Sequence, residues 1–185
     1  MPSEREKMLA GELYDGSDAQ LVADRLRARE LCQALAALAP QAPHAERTEL
    51  LARLFGVPTD AYVTPPFFCD YGRHIELGRH VYFNFNCVIL DVAKVRVGDN
   101  VLFGPAVQVY TASHPMDAAV RRSGLEFGRP VVIGSDVWLG GGAVVCPGVT
   151  IGARAVIGAG SVVVADVPAD VFAAGNPCRV IRELH

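Results

Sequence analysis

No run of about 18 apolar residues occurs anywhere in this 185-residue chain, so no membrane span is expected. Positive charge is not in surplus either. Its 17 Lys and Arg stand against 20 Asp and Glu, a formal net charge of −3, which excludes the basic footprint of a nucleic-acid binder. The opening residues Met1 to Lys7 lack the apolar core of a secretory leader, and that predicts a cytoplasmic protein. Five cysteines, Cys32, Cys69, Cys87, Cys146 and Cys178, include no close pair with metal-ligand spacing. An odd number spread so widely reads as reduced thiols in the cytosol. What remains is a soluble globular composition, 51% hydrophobic and 20% charged, long enough to bury a core of one or two structural units.

The stretch Ile133 to Pro168 reads in sixes. Its first place is always aliphatic: Ile133, Leu139, Val145, Ile151, Ile157, Val163. Its fifth is small or β-branched: Val137, Ala143, Val149, Ala155, Ser161, Val167. Gly134, Gly140, Gly152 and Gly158 hold the second place, where corners needing positive φ would suit them. A six-residue period points to a parallel β-helix, three sixes making one triangular coil that advances about 4.8 Å. An α-helix needs apolar spacings of 3 and 4, and a sandwich gives no reason for glycine every sixth place. Sixes also run through Leu77, Phe83 and Ile89, slip by two residues, and resume at Val97, Phe103 and Val109. Val97 and Ile133 then share one phase, so His114 to Arg129 between them reads as an external loop. The general rule for parallel crossovers would make such a coil right-handed.

Residues 1–56 are a different material. Ser3 with Glu6 forms a capping box, and Asp18 caps a longer helix carrying Leu21, Val22, Leu26, Leu31, Leu35 and Leu38. Pro40 and Pro43 end it; a third helix, 46–55, presents Leu50, Leu51, Leu54 and Phe55 and stops at Gly56. A solenoid exposes an open end, so this segment reads as a cap, and it also lies where it can contribute to a pocket. The β-helix is expected over 57–169, with its loop at about 114–130, and a C-terminal arm over 170–185.

Candidate chemistry gathers at few places. His114 stands where the repeat breaks into the loop, and neutral imidazole accepts a proton near physiological pH; a loop-anchoring histidine is the plainer alternative. Asp70, Asn84 and Asp91 offer the paired hydrogen bonds that suit hydroxyl-rich ligands, against the alternative of corner residues bonded to their own backbone. His74, His80 and His114 lack zinc-site spacing. Arg179 and Arg182, at i and i+3, suit phosphate or solvent alike. Trp138 beside Gly140–Gly142 lets a flat ligand pack on an indole while backbone comes close. Cys87, at a fifth place, reads as a small core residue.

Glu6 to Tyr14, Asp24 to Arg29, Cys69 to Gly72, Cys87 to Asp91, Tyr110 to Pro115 and Ala174 to Arg182 together resemble the hexapeptide-repeat O-acetyltransferases acting on sugars, nearest the maltose branch and next the galactoside branch. The resemblance covers nearly the whole chain. It implies a left-handed β-helix, a homotrimer with inter-subunit sites, acetyl-CoA as donor and a sugar hydroxyl as acceptor, with no metal required. It makes His114 the catalytic base and Asp70, Asn84 and Asp91 acceptor-side residues. Trp138, Gly141 and Ala159 would lie along the pantetheine arm, with Arg179 and Arg182 toward the nucleotide phosphates. Two departures stand out: Val164 and Ala165 occupy the place of a frequent Thr-Lys pair, and Asn86 replaces an Asp common in the maltose branch. A lost charge-assisted contact of roughly 1.5–3 kcal/mol predicts CoA binding weakened about tenfold or more. The rival readings are the same fold with another acceptor (oligosaccharide, galactoside, amino acid or antibiotic), a zinc carbonic-anhydrase-like solenoid, and a silent assembly scaffold.

Overall fold

The computed structural model describes residues 1–185 and contains three stacked walls of parallel strands. Wall one is Ile75–Leu77, Val95–Val97, Val131–Ile133 and Thr150–Ile151. Wall two is Tyr62–Val63, Tyr82–Phe83, Leu102–Phe103, Trp138–Leu139, Val156–Ile157 and Val171–Ala174. Wall three is Phe67–Cys69, Cys87–Leu90, Gln108–Tyr110, Val144–Val145 and Val162–Val163. Both expected rows are inside: Ile133, Leu139, Val145, Ile151, Ile157 and Val163 are buried, as are Val137, Ala143, Val149, Ala155, Ser161 and Val167. Cys87 is a buried core residue.

Second-place glycines serve another purpose than expected. They do not have positive φ; the fourth place does, at Asp136, Gly142, Gly148, Arg154 and Gly160. A Cβ at Gly140 would instead stand 2.5 Å from the backbone nitrogen of Ala159 in the next coil. Where glycine holds the second place, it does so because successive coils approach too closely there for a side chain.

The slip of two residues falls at one corner only. Tyr62 pairs with Tyr82 and Tyr82 with Leu102, each 20 residues on, whereas Trp138 and Val156 are 18 apart. The extra residues lie between walls three and one, at Asp70–His74 and Asp91–Lys94. Val97 pairs with Ile133 across the insertion, as their shared phase requires. Wall two runs on through Val171–Ala174, past the expected boundary at 169, and Arg179–Glu183 turns back antiparallel upon it.

The N-terminal cap has helices α1 (Glu4–Ala10), α2 (Ala19–Ala37) and α3 (His44–Phe55). Ser3 and Glu6 make the reciprocal capping box, and the Asp18 side chain accepts from the N–H groups of Gln20 and Leu21. Leu21, Leu31 and Leu35 face inward with Ala28 and Cys32, but Val22 and Leu26 are exposed. α3 begins at His44, earlier than expected, and carries Leu51, Leu54 and Phe55 inward. Phe55 meets the edge of Phe67, and an aromatic stack continues through Phe83 and Phe103 down the solenoid axis. These contacts seal the open end of the first coil.

The expected loop is ordered. Ala112–Ser113 and Leu125–Gly128 form an antiparallel pair around α4 (Ala118–Arg122), and Tyr14–Asp15 of the cap adds a third strand. Cap and insertion are thus one piece of structure.

Candidate active site

Wall three has two edges, and the candidate residues divide between them. At the edge leading to wall one, the Asp91 carboxylate is fully buried and accepts from the N–H groups of Asp70 (3.0 Å), Tyr71 (2.9 Å) and His74 (3.3 Å). The His74 ring donates through Nδ1 to the Asp91 carbonyl at 2.6 Å. Asp91 therefore fastens the wide corner and stands behind Asp70, with no surface of its own for a ligand. Burial pushes the carboxyls of both Asp70 and Asp91 up to about 6, with the Asp91 charge adding to the effect on Asp70. Arg25 of α2 lowers the cost at Asp70 by its charge; its guanidinium donates to the Tyr71 hydroxyl at 2.7 Å and to the Gly16 carbonyl at 2.6 Å.

The insertion brings His114 to the same edge. Its side chain is 58% exposed, and Nε2 lies 3.9 Å from Glu126 Oε2. That distance is too long for a hydrogen bond, so Glu126 acts on the imidazole through charge. Glu126 itself is fixed: its Oε1 accepts from the buried Tyr14 hydroxyl at 2.7 Å. Burial, and then this bond, raise the Tyr14 phenol well above its ordinary range, so it remains a donor. Gly16 leaves the room this carboxylate needs, since a Cβ there would stand 2.5 Å from Oε1. A cleft of about 230 Å³ beside His114 is lined by Ser113, Met116, Phe127, Arg129 and Pro147.

The other edge, between walls two and three, carries a ladder of close backbone steps. Gly160 N–H donates to the Gly141 carbonyl at 2.9 Å, placing Gly141 and Ala159 one coil apart on the same corner. The Gly141 N–H makes no hydrogen bond within the chain. Trp138 lies outward on wall two, 53% exposed, just before this corner. Asn84 is on the same edge two coils earlier, with its Oδ1 accepting from the Phe85 N–H at 2.8 Å, so it bonds its own backbone. Arg179 and Arg182 lie on the exposed final strand; the Arg182 guanidinium sits over the Phe172 ring at 5.9 Å. Val164 and Ala165 follow wall three at its opposite edge, the one that bears His114.

The chain therefore brings His114, Asp70 and Asp91 to one edge, and Gly141, Ala159 and Asn84 to the other. Asn84 and Asp91 do not converge: they bracket the wall-three strand Cys87–Leu90 at its two ends. His74 and His80 are held separately, His80 by Asp60 at 3.2 Å, and no group of three metal-binding side chains forms. Tyr14, Arg25 and Glu126 complete the His114 edge, and no sequence spacing singles them out. Arg25 lies within the Asp24–Arg29 motif and Tyr14 ends the Glu6–Tyr14 motif, so both motifs mark the site from a distance.

Comparison with known proteins places the fold in a family. Residues 7–57 match the family described as maltose acetyltransferase hexapeptide capping motif, and residues 130–165 match the bacterial transferase hexapeptide (six repeats). Nodulation protein L of Rhizobium meliloti is 51% identical over 96% of this chain and 97% of its own length. The crystal structure of a maltose O-acetyltransferase from Clostridium difficile 630 superposes with a TM-score of 0.96 at 44% identity, covering 100% of this chain and 98% of that one. A hexapeptide-repeat acetyltransferase from Vibrio cholerae, solved with acetyl coenzyme A, gives 0.90 at 44% identity with 100% of both chains covered. The cap, the coils and the ordered insertion are thus shared along the full length, and the chain belongs to the hexapeptide-repeat acetyltransferases, as an acyltransferase bearing their maltose-type capping motif.

Proposed function

We propose that this protein transfers acetyl from acetyl-CoA to a hydroxyl of a maltose- or glucose-like sugar, directly, in a ternary complex, with His114 as general base. The observation that carries the reading is His114 itself, presented on an ordered insertion beside a carboxylate that Tyr14 holds in place. The acetyl-CoA-bound relative supports the donor, and the maltose O-acetyltransferase relative supports the acceptor class.

Neutral His114 takes the proton of the acceptor hydroxyl as that oxygen attacks the thioester carbonyl. Glu126 offsets the charge of the imidazolium that forms. A backbone N–H, that of Gly141, meets the developing oxyanion. Collapse breaks the carbon–sulfur bond, and His114 returns its proton to the CoA thiolate. No cysteine is paired with a histidine as an acyl carrier, so no covalent enzyme intermediate is invoked. Asp70 and Arg25 line the acceptor side; Trp138, Gly141 and Ala159 line the donor side, with Arg179 and Arg182 toward the phosphates.

Because these two sets occupy opposite edges of wall three, one copy cannot close the site alone. Donor-edge residues of one copy meeting the His114 edge of the next is a heterologous contact, which closes as a ring, here a homotrimer. Exposed Phe68, Phe85, Leu102 and Trp138 give these walls the apolar surface such a contact needs.

A panel of maltose, glucose, galactosides, oligosaccharides and amino acids with acetyl-CoA, followed by thiol release, tests the acceptor. Sugars are expected to turn over; turnover confined to an amino acid would overturn the acceptor reading. His114→Ala is expected to lower kcat by about 10²–10⁴ with an unchanged circular dichroism spectrum. A near-wild-type rate in that variant would remove His114 from the role.

A further inference from the structure

We propose that Cys32 and Cys69 form a peroxide-sensitive pair whose disulfide locks the helical cap onto the solenoid. Cys32 belongs to α2 and Cys69 ends the first strand of wall three, 37 residues on, yet their Sγ atoms are 3.9 Å apart. None of the other three cysteines faces a thiol; Cys87 points its Sγ at the Gly104 carbonyl at 3.4 Å. Although the pair is only 6% and 7% exposed, both residues line a cavity of about 280 Å³ between Arg29 and Ala36 of α2 and Phe67 of wall three. The cavity is large enough to admit a small peroxide, and Arg29 contributes positive charge at the same wall.

The two thiols are not equivalent. The contact between the two sulfurs holds the Cys32 thiol below its ordinary value, whereas the same contact and burial push Cys69 well up. Cys32 is accordingly the attacking thiolate. It displaces hydroxide from hydrogen peroxide as the O–O bond breaks, giving a Cys32 sulfenic acid, and the hydroxide takes up the proton that Cys32 released to become water. The Cys69 sulfur then attacks that sulfur and a second water leaves. Two thiols lose two protons and two electrons, and one peroxide becomes two waters. Only a modest approach of the two sulfurs is needed, from 3.9 Å to the roughly 2.05 Å of a disulfide. The product ties α2 to the residue preceding Asp70, and thus fixes the helix that supplies Arg25. This inference does not rest on the acetyl-transfer reading.

The test uses the reduced full-length protein. After treatment with excess hydrogen peroxide, remaining thiols are alkylated in denaturant and the product is mapped by mass spectrometry. The expected product is a monomeric chain lighter by two hydrogens, with Cys32 and Cys69 in one linked peptide that dithiothreitol separates. Cys32→Ser and Cys69→Ser should each abolish the link. A link between other cysteines or between chains overturns the proposal. So does oxidation of the more accessible Cys146 while Cys32 and Cys69 remain fully alkylatable. Amide exchange across residues 19–37 is expected to slow severalfold on oxidation and recover on reduction. Unchanged exchange in a protein shown to carry the link would refute the lock.

Discussion

Asp70 and Asp91 share one corner, and burial holds both carboxyls at about 6, above the 3.8 of an ordinary aspartate. The folded protein therefore binds their protons more tightly than the unfolded chain does. Stability is fullest below pH 4 on this account and falls as pH rises through 6. Asp70→Asn removes one of the two charges, so the variant should unfold at higher temperature than the parent above pH 6, by on the order of 2 kcal/mol, and converge with it near pH 4. Thermal unfolding across that range checks it; an unchanged difference at both ends would refute the burial argument. Asp91→Ala acts oppositely, since three backbone N–H groups lose their acceptor in a buried place. A loss of about 3 kcal/mol in chemical denaturation is expected. At this scale the sequence was only partly legible. Asp91 is visible as an acid near a slip in the repeat, but a carboxylate aimed at its own corner looks the same in sequence as one aimed at a ligand. Tyr14 and Glu126 are 112 residues apart, and no periodicity relates them.

Elements repeat here, and repetition is what made them readable. Aliphatic first places and small fifth places need only a period, and the structure buries both rows. The second-place glycine was readable as a position and not as a cause, because φ and the distance to the next coil leave the same mark on a sequence. The two causes separate by substitution. Gly142→Ala meets open space and carries only the strain of φ 69°, about 1 kcal/mol. Gly140→Ala drives a Cβ to 2.5 Å from the Ala159 nitrogen and must shift a coil. Its melting temperature should fall several times further than that of Gly142→Ala; equal losses would restore the backbone-angle explanation. The insertion was harder. It lacks the six-residue period, so it reads as an external loop, although its strands pair with Tyr14–Asp15 from the far end of the chain. Non-local pairing of two-residue strands leaves too little pattern to recognise.

At the scale of the whole molecule, the proposed function makes activity a property of the assembly, because its two sets of residues lie on opposite edges of wall three. An inactive His114→Ala protein retains a sound donor edge, and a protein damaged at Gly141 retains a sound His114 edge. Denaturing and refolding the two together should restore part of the activity that neither has alone, read as thiol release. Complete silence from a mixture shown to co-assemble would mean that each copy works within itself. The same division separates what must stay constant from what is free to vary. The insertion leaves the solenoid after Tyr110 and re-enters at Val131, and Val97 still pairs with Ile133 across it. Loop closure costs grow only slowly with length. On the proposed function, the acceptor side can therefore vary more readily than the donor edge, which is set by backbone steps too tight for a side chain. On the proposed function, substrate range is written in the departures from the repeat.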